Sequence, residues 1–193
     1  MRLFIAIDID DSVLASVTKL QRQIKDRMKN RNGLKWVAPE LMHLTLKFLG
    51  EVDESRIEEI TDAIAIVCLE KKIFEFELSV IGTFGTPAKV LWLGSAEQSA
   101  ELAALAASIE QGLSELLFEK ETRPFSAHLT LARIKDNGID KNLRQIVSDF
   151  QKTESMPVKV DSVCLYKSQL TSDGPVYTLL RKIELNPVRD RES

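Results

Sequence analysis

The hydrophobic pattern of the first third of the chain predicts a strand followed by an amphipathic helix. The segment from Leu3 to Ile9 is apolar except for Asp8, and it is rich in residues that favour strands, as expected of a buried central strand. Asp10 and Asp11 follow and provide side chains suited to capping the start of a helix. The apolar residues of that helix fall on one face, and its end is expected near Asn32-Gly33; they are Leu14, Val17, Ile24 and Met28.

Beyond this point strand-like and helix-like patterns follow one another. The predicted strands cover residues 35–37, 42–48, 74–80, 90–93, 127–134, 158–166 and 176–185. Three more helices are predicted: one with Ile57, Ile60, Ile64 and Val67 on its apolar face, the longest from about Ala96 to Phe118, and one with Leu143, Ile146, Val147 and Phe150. Residues 171–175 predict a turn, and the polar residues 187–193 are expected to fray.

This order of elements predicts the fold class. Strands and helices are mixed without a strict β-α-β alternation, which favours an α+β fold with antiparallel pairing over a doubly wound parallel sheet. The 193 residues contain no stretch that resembles a linker and no short repeat. We therefore expect a single domain over residues 1–193.

Charge and cysteine content limit the classes of partner. The formal net charge is −3, whereas proteins that coat long nucleic acids are usually basic, so a small substrate or an RNA terminus fits better than a duplex. Cys68 and Cys164 lie far apart in apolar runs, as expected of buried free thiols in a reducing compartment. We find neither a secretory signal nor an apolar stretch of membrane-spanning length, and we expect a cytoplasmic protein.

A duplicated tetrapeptide carries the candidate chemistry. His43-Leu44-Thr45-Leu46 and His128-Leu129-Thr130-Leu131 are identical, and together they contain both histidines of the chain. On a strand, alternate residues share a face, so each histidine would lie beside its threonine while the leucines enter the core. Two such strands side by side would line a cleft with two imidazoles and two hydroxyls.

These groups suit phosphoryl transfer. Imidazole titrates near neutral pH, so one histidine can donate a proton while the other accepts one. Threonine hydroxyls can donate hydrogen bonds to phosphoryl oxygens as negative charge develops there. A zinc site and a serine nucleophile are weaker hypotheses, because the sequence has no carboxylate at ligand spacing from either histidine and no G-x-S-x-G motif.

The two motifs and their surroundings resemble the 2H phosphoesterase superfamily, and within it the LigT-like RNA 2′,3′-cyclic phosphodiesterases, formerly called 2′-5′ RNA ligases. The resemblance spans nearly the whole chain, in order. It rests on the start at residues 2–7, Trp36-Val37, residues 43–52, 82–84, 90–94, 125–133, 165–168 and 174–177.

The resemblance implies a bilobal, pseudo-twofold α+β fold with antiparallel sheets and outer helices, in which each lobe contributes one motif to a central cleft. It also implies hydrolysis of RNA 3′-terminal 2′,3′-cyclic phosphates to 2′-phosphate ends. In that family His43 corresponds to the proton donor and His128 to the proton acceptor, while Thr45 and Thr130 correspond to the hydroxyls that contact the phosphate.

Two basic residues are further candidates for substrate binding. Arg133 matches a basic residue of the family, but strict alternation would put it on the face opposite His128 unless the strand ends or bulges there. Alternation puts Lys47 on the His43 face. A solvated surface charge is the alternative for both residues.

No cofactor or metal is expected, and the expected partners are RNA 3′ ends or small cyclic-phosphate nucleotides. We expect a monomer that needs no protein partner and no membrane. Two alternatives stay open: ligation through the same groups in reverse, and a module that binds RNA ends without turnover.

Overall fold

The computed structural model describes residues 1–28, 33–135, 140–150, 153–172 and 174–186. The strands are β1 (Arg2–Asp8), β2 (Leu34–Trp36), β3 (His43–Glu51), β4 (Phe74–Leu78), β5 (Val80–Phe84), β6 (Val90–Gly94), β7 (His128–Ile134), β8 (Met156–Val160), β9 (Ser162–Leu170) and β10 (Pro175–Glu184). The α-helices are α1 (Asp11–Arg27), α2 (Ile57–Glu70), α3 (Ala100–Glu115) and α4 (Asp140–Asp149), and short 3-10 helices cover Pro39–Leu41 and Glu54–Arg56.

In the part of the chain that the structure describes, eight strands form one sheet, in the order β10-β9-β1-β3-β7-β6-β5, with β2 also paired to β7. A separate pair joins β4 to β8. All pairings between these strands are antiparallel, which confirms the predicted α+β class. The sheet has two halves, which we call the first half (β1, β3, β9 and β10) and the second half (β2, β5, β6 and β7).

The halves are related by a repeat in the order of elements. Leaving out β2, the series strand, helix, strand, helix, strand, strand runs from β1 to β5 and again from β6 to β9. The last strand of each series joins the half begun by the other, since β5 pairs with β6 and β9 pairs with β1. This exchange produces the pseudo-twofold arrangement and sets β3 beside β7 at its centre.

The helices pack on one face of the sheet and bury it, and we call this side the core face. α2 and α3 pack on each other, on β3 and on the two outer strands of the first half, β9 and β10. α1 lies under the second half, where the buried amide of Gln21 donates to the carbonyl oxygens of Val37 and Leu131. The buried side chains of helices and strands form one apolar cluster that supports both halves.

The helix boundaries correct two expectations. Asp10 caps α1 as predicted, since its carboxylate accepts from the amides of Ser12 and Val13. However, α1 ends at Arg27 and Met28 is already extended, so the helix does not reach Asn32-Gly33; Asn32 itself lies outside the described residues. α3 begins at Ala100 behind the cap Ser99 and, with 16 residues, is shorter than α1 with 17.

Two predicted strands are each two strands that belong to different sheets. The alternation over 74–80 continues into β5, but the chain leaves the β4–β8 pair after Leu78 and enters the large sheet at Val80. The segment 158–166 divides in the same way around Asp161, between β8 and β9. A single connecting residue leaves the hydrophobic pattern uninterrupted, so the pattern does not reveal the change of sheet.

Candidate active site

The two histidine motifs meet where the halves of the sheet join. β3 and β7 pair at one position, with Leu44 opposite Leu129, and both leucines are fully buried. Because the strands are antiparallel, His43 lies next to Thr130 and His128 next to Thr45. The histidines are thus diagonal neighbours on one face, a relation that puts Cα atoms about 7–8 Å apart, so that both side chains can reach one phosphoryl group.

Each imidazole is oriented by a backbone carbonyl two residues earlier. Nδ1 of His43 lies 3.0 Å from the carbonyl oxygen of Leu41, and Nδ1 of His128 lies 2.7 Å from that of Ser126. A carbonyl oxygen only accepts, so Nδ1 carries a proton in both rings. Proton exchange with a substrate is therefore left to Nε2, the nitrogen on the other side of each ring.

Aromatic side chains hold the two rings in place. His43 packs between Phe4 and Tyr177, with ring centroids 4.7 and 5.2 Å away. His128 meets the edge of Phe84 at 4.8 Å. Such contacts restrict ring rotation, and the hydrogen bond to Nδ1 then selects one orientation for each histidine.

Burial affects the ionisation of His43. Desolvation lowers its pKa, and repulsion from a charged His128 acts in the same direction. The hydrogen bond to Leu41 and the carboxylate of Asp8 oppose this change in pKa. The influence of His128 on the pKa of His43 agrees with their positions as diagonal neighbours.

A bulge follows the threonine in both motifs and changes which later residues face the cleft. On β1, Ala6 pairs with Thr45 and Ile5 pairs with Lys47, so Leu46 is the extra residue. On β6, Trp92 pairs with Thr130 and Leu91 pairs with Ala132, so Leu131 is the extra residue. Beyond each bulge the alternation of faces is reversed.

Lys47 consequently lies on the core face, which makes the expectation from alternation wrong. Only 7% of the residue is exposed, and its ammonium donates to Glu110 of α3 at 2.7 Å and to the carbonyl oxygen of Glu119 at 2.8 Å. The lysine therefore joins β3 to α3 on the side of the sheet away from the histidines. Its position does not support a contact with a substrate in the cleft.

For Arg133 the bulge has the opposite effect. Strict alternation would put this residue on the core face, whereas it lies on the face of Thr130. The residue is exposed, and in the sheet it lies opposite Lys35 of β2 and Val90 of β6. Its positive charge acts to lower the pKa of Tyr177, although burial raises that pKa on balance. The guanidinium thus lies within electrostatic range of Tyr177, which contacts His43. A place for Arg133 on the face of His128 required a strand end or a bulge, and the bulge is present.

Several residues around the histidines were given no role from the sequence, although Phe4, Phe84 and Tyr177 lie in segments that carry the family resemblance. Phe4 and Asp8 lie in a run that we interpreted as a strand buried on both faces, which concealed its cleft side. Phe84 ends β5, of which only the first residue, Val80, fell within a predicted strand. Tyr177 alternates with Val176 and Thr178 on an edge strand, and nothing local distinguishes it from a surface aromatic residue.

Two features of the described residues bear on other functions. No group of three or more His, Cys, Asp or Glu side chains is arranged to hold a metal ion in the part of the chain that the structure describes. Across the same residues, no helix combines the length and apolar character needed to cross a bilayer. Cys68 and Cys164 are free and buried, as predicted.

Known proteins resemble this chain over nearly its whole length. Residues 10–171 match the model of the 2′-5′ RNA ligase superfamily. An RNA 2′,3′-cyclic phosphodiesterase of Methanocaldococcus jannaschii is 35% identical over 184 residues, covering 94% of this chain and 99% of the relative. One of the same name from Thermotoga maritima is 36% identical over 184 residues, covering 93% of both chains.

Solved structures agree with this assignment. The crystal structure of TT0787 from Thermus thermophilus superposes with a TM-score of 0.77 at 27% identity, covering 98% of this chain and all of the other. LigT from E. coli, in its apo form, has the same fold with a TM-score of 0.72 at 22% identity, covering 95% and 96% of the two chains. With its paired histidine motifs on the two central strands of a pseudo-twofold sheet, this chain belongs to the 2′-5′ RNA ligase superfamily.

Proposed function

We propose that this protein hydrolyses 2′,3′-cyclic phosphates at RNA 3′ ends, with His43 as proton donor and His128 as proton acceptor. The observation that carries the proposal is the matched pair of imidazoles, each with Nδ1 bonded to the carbonyl two residues earlier and each beside the threonine of the other motif. The names of the relatives from M. jannaschii and T. maritima support the choice of substrate.

The proposed reaction is a single in-line displacement at phosphorus. Nε2 of His128 takes a proton from water as the water oxygen bonds to phosphorus, and the bond from phosphorus to the ribose 3′ oxygen breaks. Nε2 of His43 gives its proton to that oxygen. The product is a 2′-phosphate, and the pair ends with its proton on the other histidine, so exchange with solvent restores the starting state.

The hydroxyls and Arg133 are assigned to the charge on the phosphoryl group. Thr45 and Thr130 lie on the same face as the imidazoles and donate to the non-bridging oxygens. Arg133, on this face beyond the second bulge, adds a guanidinium that attracts the substrate's phosphates. A site of this size touches few phosphates, in keeping with a net charge of −3.

The direct test is product analysis. A short oligonucleotide ending in a 2′,3′-cyclic phosphate is incubated with the protein, and the product is compared with 2′-phosphate and 3′-phosphate standards by phosphorus NMR and chromatography. We expect the 2′-phosphate almost exclusively. A dominant 3′-phosphate would show that the histidines exchange roles, and binding without turnover would identify a module that only recognises RNA ends.

Ligation is the same displacement with the 5′ hydroxyl of a second RNA in place of water, and cleavage of the resulting 2′-5′ linkage is its reverse. Adding an oligonucleotide with a free 5′ hydroxyl to the same assay reveals it as a longer product. The ratio of its yield to that of hydrolysis shows which nucleophile, the 5′ hydroxyl or water, the site favours under the conditions used.

We expect chelation to leave the activity unchanged. In the proposed mechanism imidazoles move the protons and hydroxyls hold the phosphoryl oxygens, so no step uses a metal ion. The protein is incubated at length with EDTA, desalted and assayed with the cyclic-phosphate oligonucleotide, beside a sample treated identically without chelator. Loss of activity that only zinc or manganese restores would replace this mechanism with a metal-dependent one.

A further inference from the structure

The two histidine motifs are identical in sequence, yet the strands that flank them are not. Asp8 lies directly opposite His43 on β1, whereas the residue directly opposite His128 on β6 is Gly94. Directly opposed residues of an antiparallel pair have Cβ atoms about 4.5–5.5 Å apart and point to the same face. One histidine therefore has a carboxylate as its neighbour, and the other has a residue without a side chain.

We propose that Asp8 is the positioning residue that makes His43, and not His128, the proton donor of the pair. The inference rests on the proposed two-histidine function and explains which histidine takes which role, a question that the identical motifs leave open. Asp8 acts through the charge it presents to His43.

The hydrogen bonds of Asp8 hold its carboxylate in place without neutralising it. One oxygen accepts from the hydroxyl of Tyr166 at 2.7 Å, and the other accepts from the thiol of Cys164 at 3.4 Å. Burial and the nearby carboxylate raise the pKa of Cys164 to about 12, and they also raise the pKa of Tyr166, so both donors stay neutral. The negative charge is therefore left for the imidazole across the strand pair.

The donor needs this help because its surroundings disfavour a proton. Burial lowers the pKa of His43, and a positive charge on His128 lowers it further. Arg133 adds a positive charge that acts on the neighbouring Tyr177. Tyr177, a titratable group packed against the ring, carries no charge while its pKa is raised by burial. On β10, the positive charge of Lys182 acts on Cys164, the thiol that donates to Asp8. Among these groups, Asp8 supplies the negative charge that stabilises imidazolium at position 43.

Gly94 leaves little room for an equivalent group beside His128. A Cβ at this position would lie 2.9 Å from the carbonyl oxygen of Ala127 and 3.0 Å from the ring of Trp92. Both contacts are closer than ordinary van der Waals distances, so packing of the second half disfavours a carboxylate here. The asymmetry between donor and acceptor is thus part of the fold.

The test is a proton NMR titration of the two histidines, which are the only ones in the chain. The variant Asp8→Asn keeps an oxygen that accepts from Tyr166 and removes the charge. Because Asp8 is exposed, we expect the titration midpoint of His43 to fall by about 0.5–1 on the pH scale, with His128 as the internal reference and His128→Ala for assignment. Asp8→Glu should return the midpoint most of the way to its wild-type value.

The matched control is Glu51→Gln, which removes one carboxylate from the far end of the same strand pair, opposite Arg2. It changes the net charge equally and should leave the His43 midpoint in place. An unchanged midpoint in Asp8→Asn, or an equal fall in Glu51→Gln, would overturn the proposal. The titration needs no turnover, so its result stands apart from the outcome of the product assay.

Kinetics provide the second measurement. At a pH above the His43 midpoint, lowering that midpoint by about one leaves roughly one-tenth as much protonated donor, so kcat of Asp8→Asn should fall about three- to tenfold at neutral pH. KM should change little, and the loss should shrink as the pH is lowered. A loss that is the same at every pH would indicate a purely structural role and refute the assignment.

Discussion

Replacing either His43 or His128 by alanine is expected to lower turnover of a 2′,3′-cyclic-phosphate oligonucleotide by about 10²–10⁴-fold. This is the usual contribution of one general acid or base, and it corresponds to roughly 3–5 kcal/mol of activation free energy. In the proposed displacement one histidine gives a proton and the other takes one. Neither histidine can therefore replace the other. The measurement is kcat under saturating substrate at several pH values.

The double variant provides an internal control. Groups that act in one displacement lose their effects together, so His43→Ala combined with His128→Ala should be little slower than the slower single variant. Because His43 also packs on Phe4 and Tyr177, thermal unfolding is measured for each variant to separate stability from chemistry. Turnover close to the wild-type value in either single variant would contradict the two-histidine mechanism.

Replacing Lys47 by methionine is expected to reduce the free energy of unfolding by about 2–3 kcal/mol and to leave KM within about twofold. The ammonium is almost fully buried and donates to Glu110, so its removal leaves a partly buried carboxylate without its main partner. The loss is smaller than for a fully enclosed pair, because Glu110 also accepts from the amide of Glu121. Urea denaturation followed by circular dichroism measures it.

Arg133→Ala is the matched comparison, because both residues are basic candidates located just beyond a histidine motif. An exposed residue of this kind contributes little to stability, so unfolding should change by less than about 0.5 kcal/mol. If the guanidinium bonds a phosphate, KM should rise about tenfold or more. A large KM effect for Lys47 with unchanged stability would mean that its side chain reaches the cleft.

Much of the fold follows from residue pattern. The buried start of β1, the apolar faces of the helices and the cap at Asp10 are local properties, since each depends on neighbours within a few residues. The repeated tetrapeptide also identified the catalytic candidates, because a strand forces His and Thr to one face and Leu to the other. That relation holds for both motifs as far as the second leucine.

Beyond that leucine the sequence by itself did not determine which side chains face the cleft. A bulge inserts one residue into the pairing with a neighbouring strand, so it is a property of two strands that are distant in the chain. It turned Lys47 into the core and Arg133 out of it, and no count along β3 or β7 alone reveals this.

The surroundings of the two histidines are also set by the pairing of distant strands. The sequence by itself determined that two equivalent histidine motifs exist, because a strand's side-chain period is local. Only the tertiary structure decided that His43 faces Asp8 and His128 faces Gly94, since these partners come from strands placed by the pairing of the whole sheet. Charge acts through space, and distance in space between residues far apart in the chain is set by the fold.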